Sequence, residues 1–171
     1  MIKINHTSNW YPDYVSNDIL NIDLQMLKFA GITHIVFDLD RTIVRHGSNR
    51  ISEEYSHFLK SVRRSGFTIM IGSNTRRDIS SLSALFNSIA IAPSGISYKP
   101  LPSFYRRIIT QAGTGSEHIA MVGDHILNDI IGANRAGFTS ILVKGLRYNN
   151  PLTYRIYFKL VLRRVDHSIQ Q

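Results

Sequence analysis

No cysteine occurs in the 171 residues, which removes disulfide frameworks, thiolate metal sites and cysteine nucleophiles together. Such a chain suits a reducing compartment. The opening stretch MIKINHTSNWYPDYV has no basic segment followed by an apolar one, so no secretory signal is read there. No apolar run approaches the roughly 18 residues of a membrane span. The expectation is a cytoplasmic protein, soluble or held peripherally on the inner face of the membrane. Internal repeats, low-complexity tracts and obvious linkers are missing too, and no two of the seven histidines stand at metal-ligand spacing. Acidic charge is the scarcer sign: 12 Asp and Glu against 20 Lys and Arg leave a net charge of +8 and a pI near 10.0. That surplus points to a polyanionic neighbour such as nucleic acid, anionic lipid or a phosphorylated substrate, without choosing among them.

What is present is ordinary for a folded chain: 43% hydrophobic and 19% charged residues, enough for one domain over 1–171 with a proper core. From Thr33 onward, short β-branched runs alternate with helical stretches. Strands are expected at 33–38, 67–72, 88–92, 118–123 and 138–143, and helices near 52–65, 77–87, 102–112 and 127–136. Gly66, Gly113 and Gly137 stand where left-handed helix ends are expected. Alternation of this kind predicts right-handed crossovers and a three-layer α/β/α domain around a mainly parallel, Rossmann-like sheet. The core spans about 32–143, with an arm over 1–31. The arm's Trp10, Tyr11 and Tyr14 suit either a clamp across the core or a membrane interface.

Ligands of such sheets bind beyond the carboxyl ends of the strands, and the unusual residues fall there. Asp38 and Asp40 leave the first strand in HIVFDLDRTI; Ser73 and Asn74 leave the second; Lys99 follows a later loop; Asp124 and Asp129 lie in GDHILND. Taken singly, either of the first two acids could end a strand or cap a helix. Four acids on one edge repel one another unless a cation relieves them, and oxygen donors favour Mg²⁺. Ser73 reads as a helix cap or as a donor to phosphoryl oxygens. Lys99 reads as a solvated side chain or as a point charge against phosphate.

In order and spacing, DLDRT (38–42), Ser73 after an apolar strand, Lys99 and GDHILND (123–129) resemble the motifs of the haloacid dehalogenase (HAD) superfamily of phosphotransferases, over about residues 32–143. Within it, PDYVSNDILNIDLQMLKFAGI (12–32), KPLP (99–102) and GDHILNDIIGANRAGFTSILV (123–143) resemble the YqeG type, related to organellar phosphatidylglycerophosphate phosphatases. The resemblance implies a Mg²⁺-dependent phosphomonoester phosphatase. Asp38 is then the nucleophile that forms an aspartyl phosphate and a metal ligand. Asp40 moves protons and offers its backbone carbonyl to the metal. Asp124 is a direct ligand, and Asp129 acts indirectly or through water. Thr42, Ser73 and Asn74 orient the loop and the phosphoryl group, and Lys99 neutralises nucleophile and phosphate. Arg41 stands where such proteins more often carry Asn, and is expected to face away from the metal.

Asp40 and Ser73 are 33 positions apart, and Ser73 and Lys99 26. Neither gap has room for a cap domain. An open site suits a phosphate carried on something large, and a phospholipid head group at an anionic membrane is the expected partner. The tail strengthens this, because about residues 150–168 Arg155, Lys159 and Arg163 form one helical ridge while Tyr154, Phe158, Val161 and Val165 form another. Such a basic amphipathic helix either packs its apolar stripe on the domain or lies on an anionic bilayer. Two other functions stay open: a phosphatase for a nucleotide, phosphosugar or phosphoprotein, and, less favoured, a basic RNA- or ribosome-binding module with a vestigial acidic pocket.

Overall fold

The computed structural model describes residues 1–4 and 7–146; the basic segment expected at 150–168 lies outside them. Seven strands form one sheet: β1 (Ile2–Lys3), β2 (Tyr14–Ser16), β3 (His34–Phe37), β4 (Thr68–Gly72), β5 (Ile89–Ile91), β6 (Ile119–Gly123) and β7 (Thr139–Val143). Their order is β1-β2-β7-β6-β3-β4-β5, and every pairing is parallel except β1 with β2. Helices α1 (Leu24–Phe29), α2 (Glu53–Arg64), α3 (Ser80–Leu85), α4 (Pro102–Ala112) and α5 (Gly132–Arg135) supply the outer layers. This is the expected Rossmann-like α/β architecture, and among the described residues no cap domain interrupts it.

The strand period of two decides which side chain enters which layer. Ile35 and Phe37 of β3, Ile69 and Ile71 of β4, and Ala120 and Val122 of β6 join Leu27 of α1, Leu59 and Val62 of α2 and Leu82 of α3 on one face. Val36, Met70, Ile119 and Met121, one residue out of phase, meet Phe104, Tyr105 and Ile108 of α4 and Ala133 of α5 on the other. Both faces of the central strands are therefore covered. Every residue of β6 is buried, as a doubly covered parallel strand requires.

Local signals set the helix ends. Ser52 Oγ accepts the Tyr55 N–H at the start of α2, where Glu53 and Glu54 occupy the first turn and Arg63 and Arg64 the last, the arrangement that opposes the helix dipole. Pro102 stands in the first turn of α4, which closes on Gly113 at φ 65° with its N–H on the Ile109 carbonyl.

Two features depart from expectation. The arm is partly sheet: Tyr14–Ser16 adds as a parallel strand to β7 and Ile2–Lys3 pairs with it in turn. Its aromatics separate accordingly, Tyr14 being buried and Trp10 exposed. The helix expected over 127–136 begins with a π-helical turn, Ile126–Ile131, before α5. At that junction the buried Tyr105 hydroxyl donates to the Asn128 carbonyl. A side chain on Gly132 would overlap that phenol, so Gly132→Ala is expected to lower stability by ~1–3 kcal/mol, the range for overpacking. Urea unfolding measures this, with Tyr105→Phe in the same chain expected to restore part of the loss. An unchanged midpoint would mean that the phenol yields freely.

Candidate active site

The register of β3 between β4 and β6 brings three strand ends to one edge. Asp38 follows β3, Ser73 follows β4 and Asp124 follows β6. The Asp38 N–H continues the ladder to the Val122 carbonyl at 2.8 Å, which fixes where its side chain starts. The cavity there is about 240 Å³ and is lined by Asp38, Asp40, Ser73, Lys99, Asp124 and Asp129, among others.

Lys99 is the hub of the buried part. Its Nζ donates to Asp38 Oδ1 at 2.5 Å and to Asp129 Oδ1 at 2.7 Å, although the residue is only 2% exposed. Burial alone would lower the ammonium's pKa, but the charges of Asp129 and Asp38 outweigh it and hold the group protonated. Asn74 sets the lysine's backbone: its Oδ1 accepts the Lys99 N–H at 2.8 Å and its Nδ2 donates to the Lys99 carbonyl at 2.9 Å. The Asn74 amide thus contacts Lys99 at both ends. Ser73, 2% exposed, accepts the Thr75 N–H on its Oγ at 3.1 Å, which leaves the hydroxyl hydrogen for another acceptor.

Three carboxylates meet here, and a fourth lines the same cavity. Asp38 Oδ2 accepts from Thr42 Oγ1 at 3.3 Å. Burial, reinforced by the Asp129 charge and opposed by Lys99, pushes the Asp38 carboxyl up to about 6. Asp129 reaches Lys99 from the π-helical turn and accepts the His125 N–H on its other oxygen at 2.9 Å. A Cβ on Gly123 would occupy the space of the Asp129 carboxylate, so glycine is required at the end of β6. Asp124, also raised by burial and by Asp38, gives Oδ2 to Arg41 Nε at 3.0 Å, while its buried Oδ1 has no partner. Asp40 stands apart from these three: Gly47 N–H donates to its Oδ1 at 2.8 Å, and Arg77 Nη1 lies 3.0 Å from each of its oxygens.

Arg41 corrects an expectation. Its backbone takes φ 70°, the left-handed region costly for most side chains, inside a tight turn in which Arg41 N–H donates to Val44 O and Val44 N–H to Leu39 O. That conformation carries the guanidinium across the strand ends onto Asp124 of the neighbouring strand's loop, so it faces the acidic cluster. The sequence reading also passed over Arg77 and His46. His125 lines the cavity, as does His46, which lies 3.6 Å from Asp40.

Ligand oxygens of Asp38, Asp124 and Asp129 lie within 4.8 Å of one another, all three residues being buried. An all-oxygen carboxylate set with one unpartnered buried oxygen has the chemistry of a hard divalent cation site. Lys99 provides the fixed positive charge beside it. A cavity combining such a cation site with a hydroxyl donor and a buried ammonium is suited to an anion whose charge changes during reaction.

Comparison with known proteins agrees with this chemistry. A family model described as HAD-hydrolase-like matches residues 97–153. Over 166 residues the chain is 25% identical to the probable phosphatase YqeG of Bacillus subtilis (strain 168), an alignment covering 94% of this chain and 91% of that protein. It is 28% identical over 180 residues to phosphatidylglycerophosphate phosphatase 1, chloroplastic/mitochondrial, of Arabidopsis thaliana, with 92% of this chain aligned. The match spans only about half of that longer relative, 51%. A HAD phosphatase of Thermococcus onnurineus has the same fold, with a TM-score of 0.51 and 18% identity over 70% of this chain and 90% of that one.

Proposed function

We propose that the chain is a phosphatase of the haloacid dehalogenase superfamily, of the YqeG type to which it is similar, that it hydrolyses a phosphomonoester through an aspartyl phosphate on Asp38, and that its substrate is the lipid phosphatidylglycerophosphate. The observation that carries the reaction is the convergence of Asp38, Asp124 and Asp129 beside the buried Lys99. Asp38 attacks phosphorus, and Asp40 gives a proton to the departing alcohol oxygen. Asp40 then takes a proton from water as that water displaces Asp38, which regenerates both carboxyl groups and releases inorganic phosphate. Lys99 offsets the charge of the nucleophile, Ser73 and Thr42 orient the phosphoryl group and the loop, and Asn74 holds Lys99 in place.

The residues present fit Mg²⁺. Asp38, Asp124 and the Asp40 carbonyl would hold it, with the unpartnered Asp124 Oδ1 the readiest direct donor. Both Asp129 oxygens already accept, from Lys99 and from His125 N–H, so Asp129 would act through water. The ion supplies charge neutralisation for the phosphoryl oxygens.

Three observations support the lipid: the uncapped cavity, the net charge of +8 and the named activity of the plant relative. Among the described residues no helix is long and apolar enough to cross a membrane. The test is phosphate release from phosphatidylglycerophosphate in mixed micelles, beside a panel of soluble phosphomonoesters, in Mg²⁺ and in EDTA. The expected result is Mg²⁺-dependent turnover with the highest kcat/KM for the lipid. A clear preference for a nucleotide, phosphosugar or phosphopeptide would overturn the substrate assignment, and turnover undiminished in EDTA would overturn the metal.

A further inference from the structure

Arg77 has no part in the scheme above, yet each of its three guanidinium nitrogens is engaged at the mouth of the cavity. Nη1 lies 3.0 Å from both oxygens of Asp40, Nη2 donates to the Ser48 carbonyl at 3.2 Å and Nε donates to Asn49 Oδ1 at 3.2 Å. Asn49 is itself fixed, because its Nδ2 donates to the Asp78 carbonyl at 2.7 Å. Two chain segments are thereby tied together, residues 77–78 beyond β4 and residues 48–49 beyond β3.

We propose that Arg77 is a positioning residue for Asp40, locking the carboxylate that moves the proton into a single orientation at the open mouth of the site. The proposal rests on the reading of Asp40 as acid and base. Asp40 needs such a lock because it follows the strand by three residues and is not among the buried polar groups. Its other contacts are the Gly47 N–H and the 3.6 Å approach of His46, an exposed side chain. A donor bridging both oxygens fixes the plane of the carboxyl group, and Asn49 and Ser48 fix the donor. A direct phosphate-binding role fits less well, since the guanidinium is already committed to Asp40, Asn49 and Ser48. Asp40 is also paired with Arg77 while Lys99 serves Asp38 and Asp129. The two cations therefore divide the carboxylates between proton transfer and phosphoryl attack.

The experiment compares kcat/KM for two phosphomonoesters, one with an aryl leaving group stable as its anion and one with an alkyl leaving group that requires a proton. Arg77→Ala is expected to lower kcat/KM for the alkyl ester ~10–100-fold more than for the aryl ester, since misplacing a reacting group by about 1 Å costs ~10²-fold. Arg77→Lys should recover only part, because an ammonium cannot hold Asp40, Asn49 and Ser48 together. Guanidinium ion at sub-denaturing concentration should partly rescue the alanine variant on the alkyl ester. Asn49→Ala, which leaves both charges in place, should show a smaller loss of the same selectivity and guards against a folding failure in the arginine variants. Asp40→Asn is the control. If it discriminates between the esters and the Arg77 and Asn49 variants lose both equally, the positioning role is overturned while the Asp40 assignment stands. If Asp40→Asn does not discriminate, the proton assignment itself falls, and the role of Arg77 with it.

Discussion

The Asp38→Asn protein is expected to fold and to release no measurable phosphate. The substitution keeps the shape of the side chain: the amide oxygen can still accept from Lys99, and the amide nitrogen can donate to the Thr42 hydroxyl. What it removes is the oxygen proposed as the nucleophile, and turnover should fall by at least about 10³-fold, as it does when a covalent nucleophile is lost. Stability should move little, or upward, when metal is withheld. Burial opposes the charge on Asp38 and the neighbouring Asp129 opposes it further, so a neutral amide relieves both. The measurement is phosphate release on the best substrate together with a thermal melt in EDTA. A variant that keeps near-normal turnover would end the covalent reading; one that is inactive because it has unfolded would show a melt well below that of the parent chain.

How much of this was visible in the sequence differs between elements. Strands β3, β4, β6 and β7 could be read because apolar side chains run through them and glycines or polar residues close them. Their parallel register then placed Asp38, Ser73, Asp124 and, through its loop, Lys99 on one edge. Strand β2 could not be read. Only three residues long, in YPDYVSND, it owes its pairing to the edge of β7, a tertiary contact without a local period. The π-helical turn was hidden because its extra residue is selected by Tyr105, some 20 positions upstream, and by the Gly132 that makes room for the phenol. Arg41 and Arg77 escaped for a related reason. The first depends on a left-handed backbone in a tight turn, and the second reaches Asp40 between two loops. Spacing along one strand or helix encodes neither arrangement, and arginines in a chain of net charge +8 are first read as surface.

Lys99→Met is expected to cost ~3–5 kcal/mol in the metal-free protein, the range for stranding a buried charge by removal of its partner. Lys99 faces two carboxylates, and its side chain is 2% exposed, against 10% for Asp38 and 1% for Asp129. Methionine fills much of the same volume, so the loss reports electrostatics in the main and packing only slightly. Two further measurements separate this from a general weakening. Asp38→Asn in the same chain should return part of the stability, because it removes one of the stranded charges, and the two substitutions should be strongly non-additive. Saturating Mg²⁺ should narrow the gap between variant and parent, since a cation bound among Asp38, Asp124 and Asp129 replaces some of the missing positive charge. Urea titrations of the parent, both single variants and the double variant, each with and without Mg²⁺, give all of these values. A loss below about 1 kcal/mol, the level of an exposed ion pair, would mean that water reaches the Asp38–Lys99–Asp129 cluster freely, and the site would then lack the dry, low-dielectric floor on which the environment of the proposed nucleophile depends.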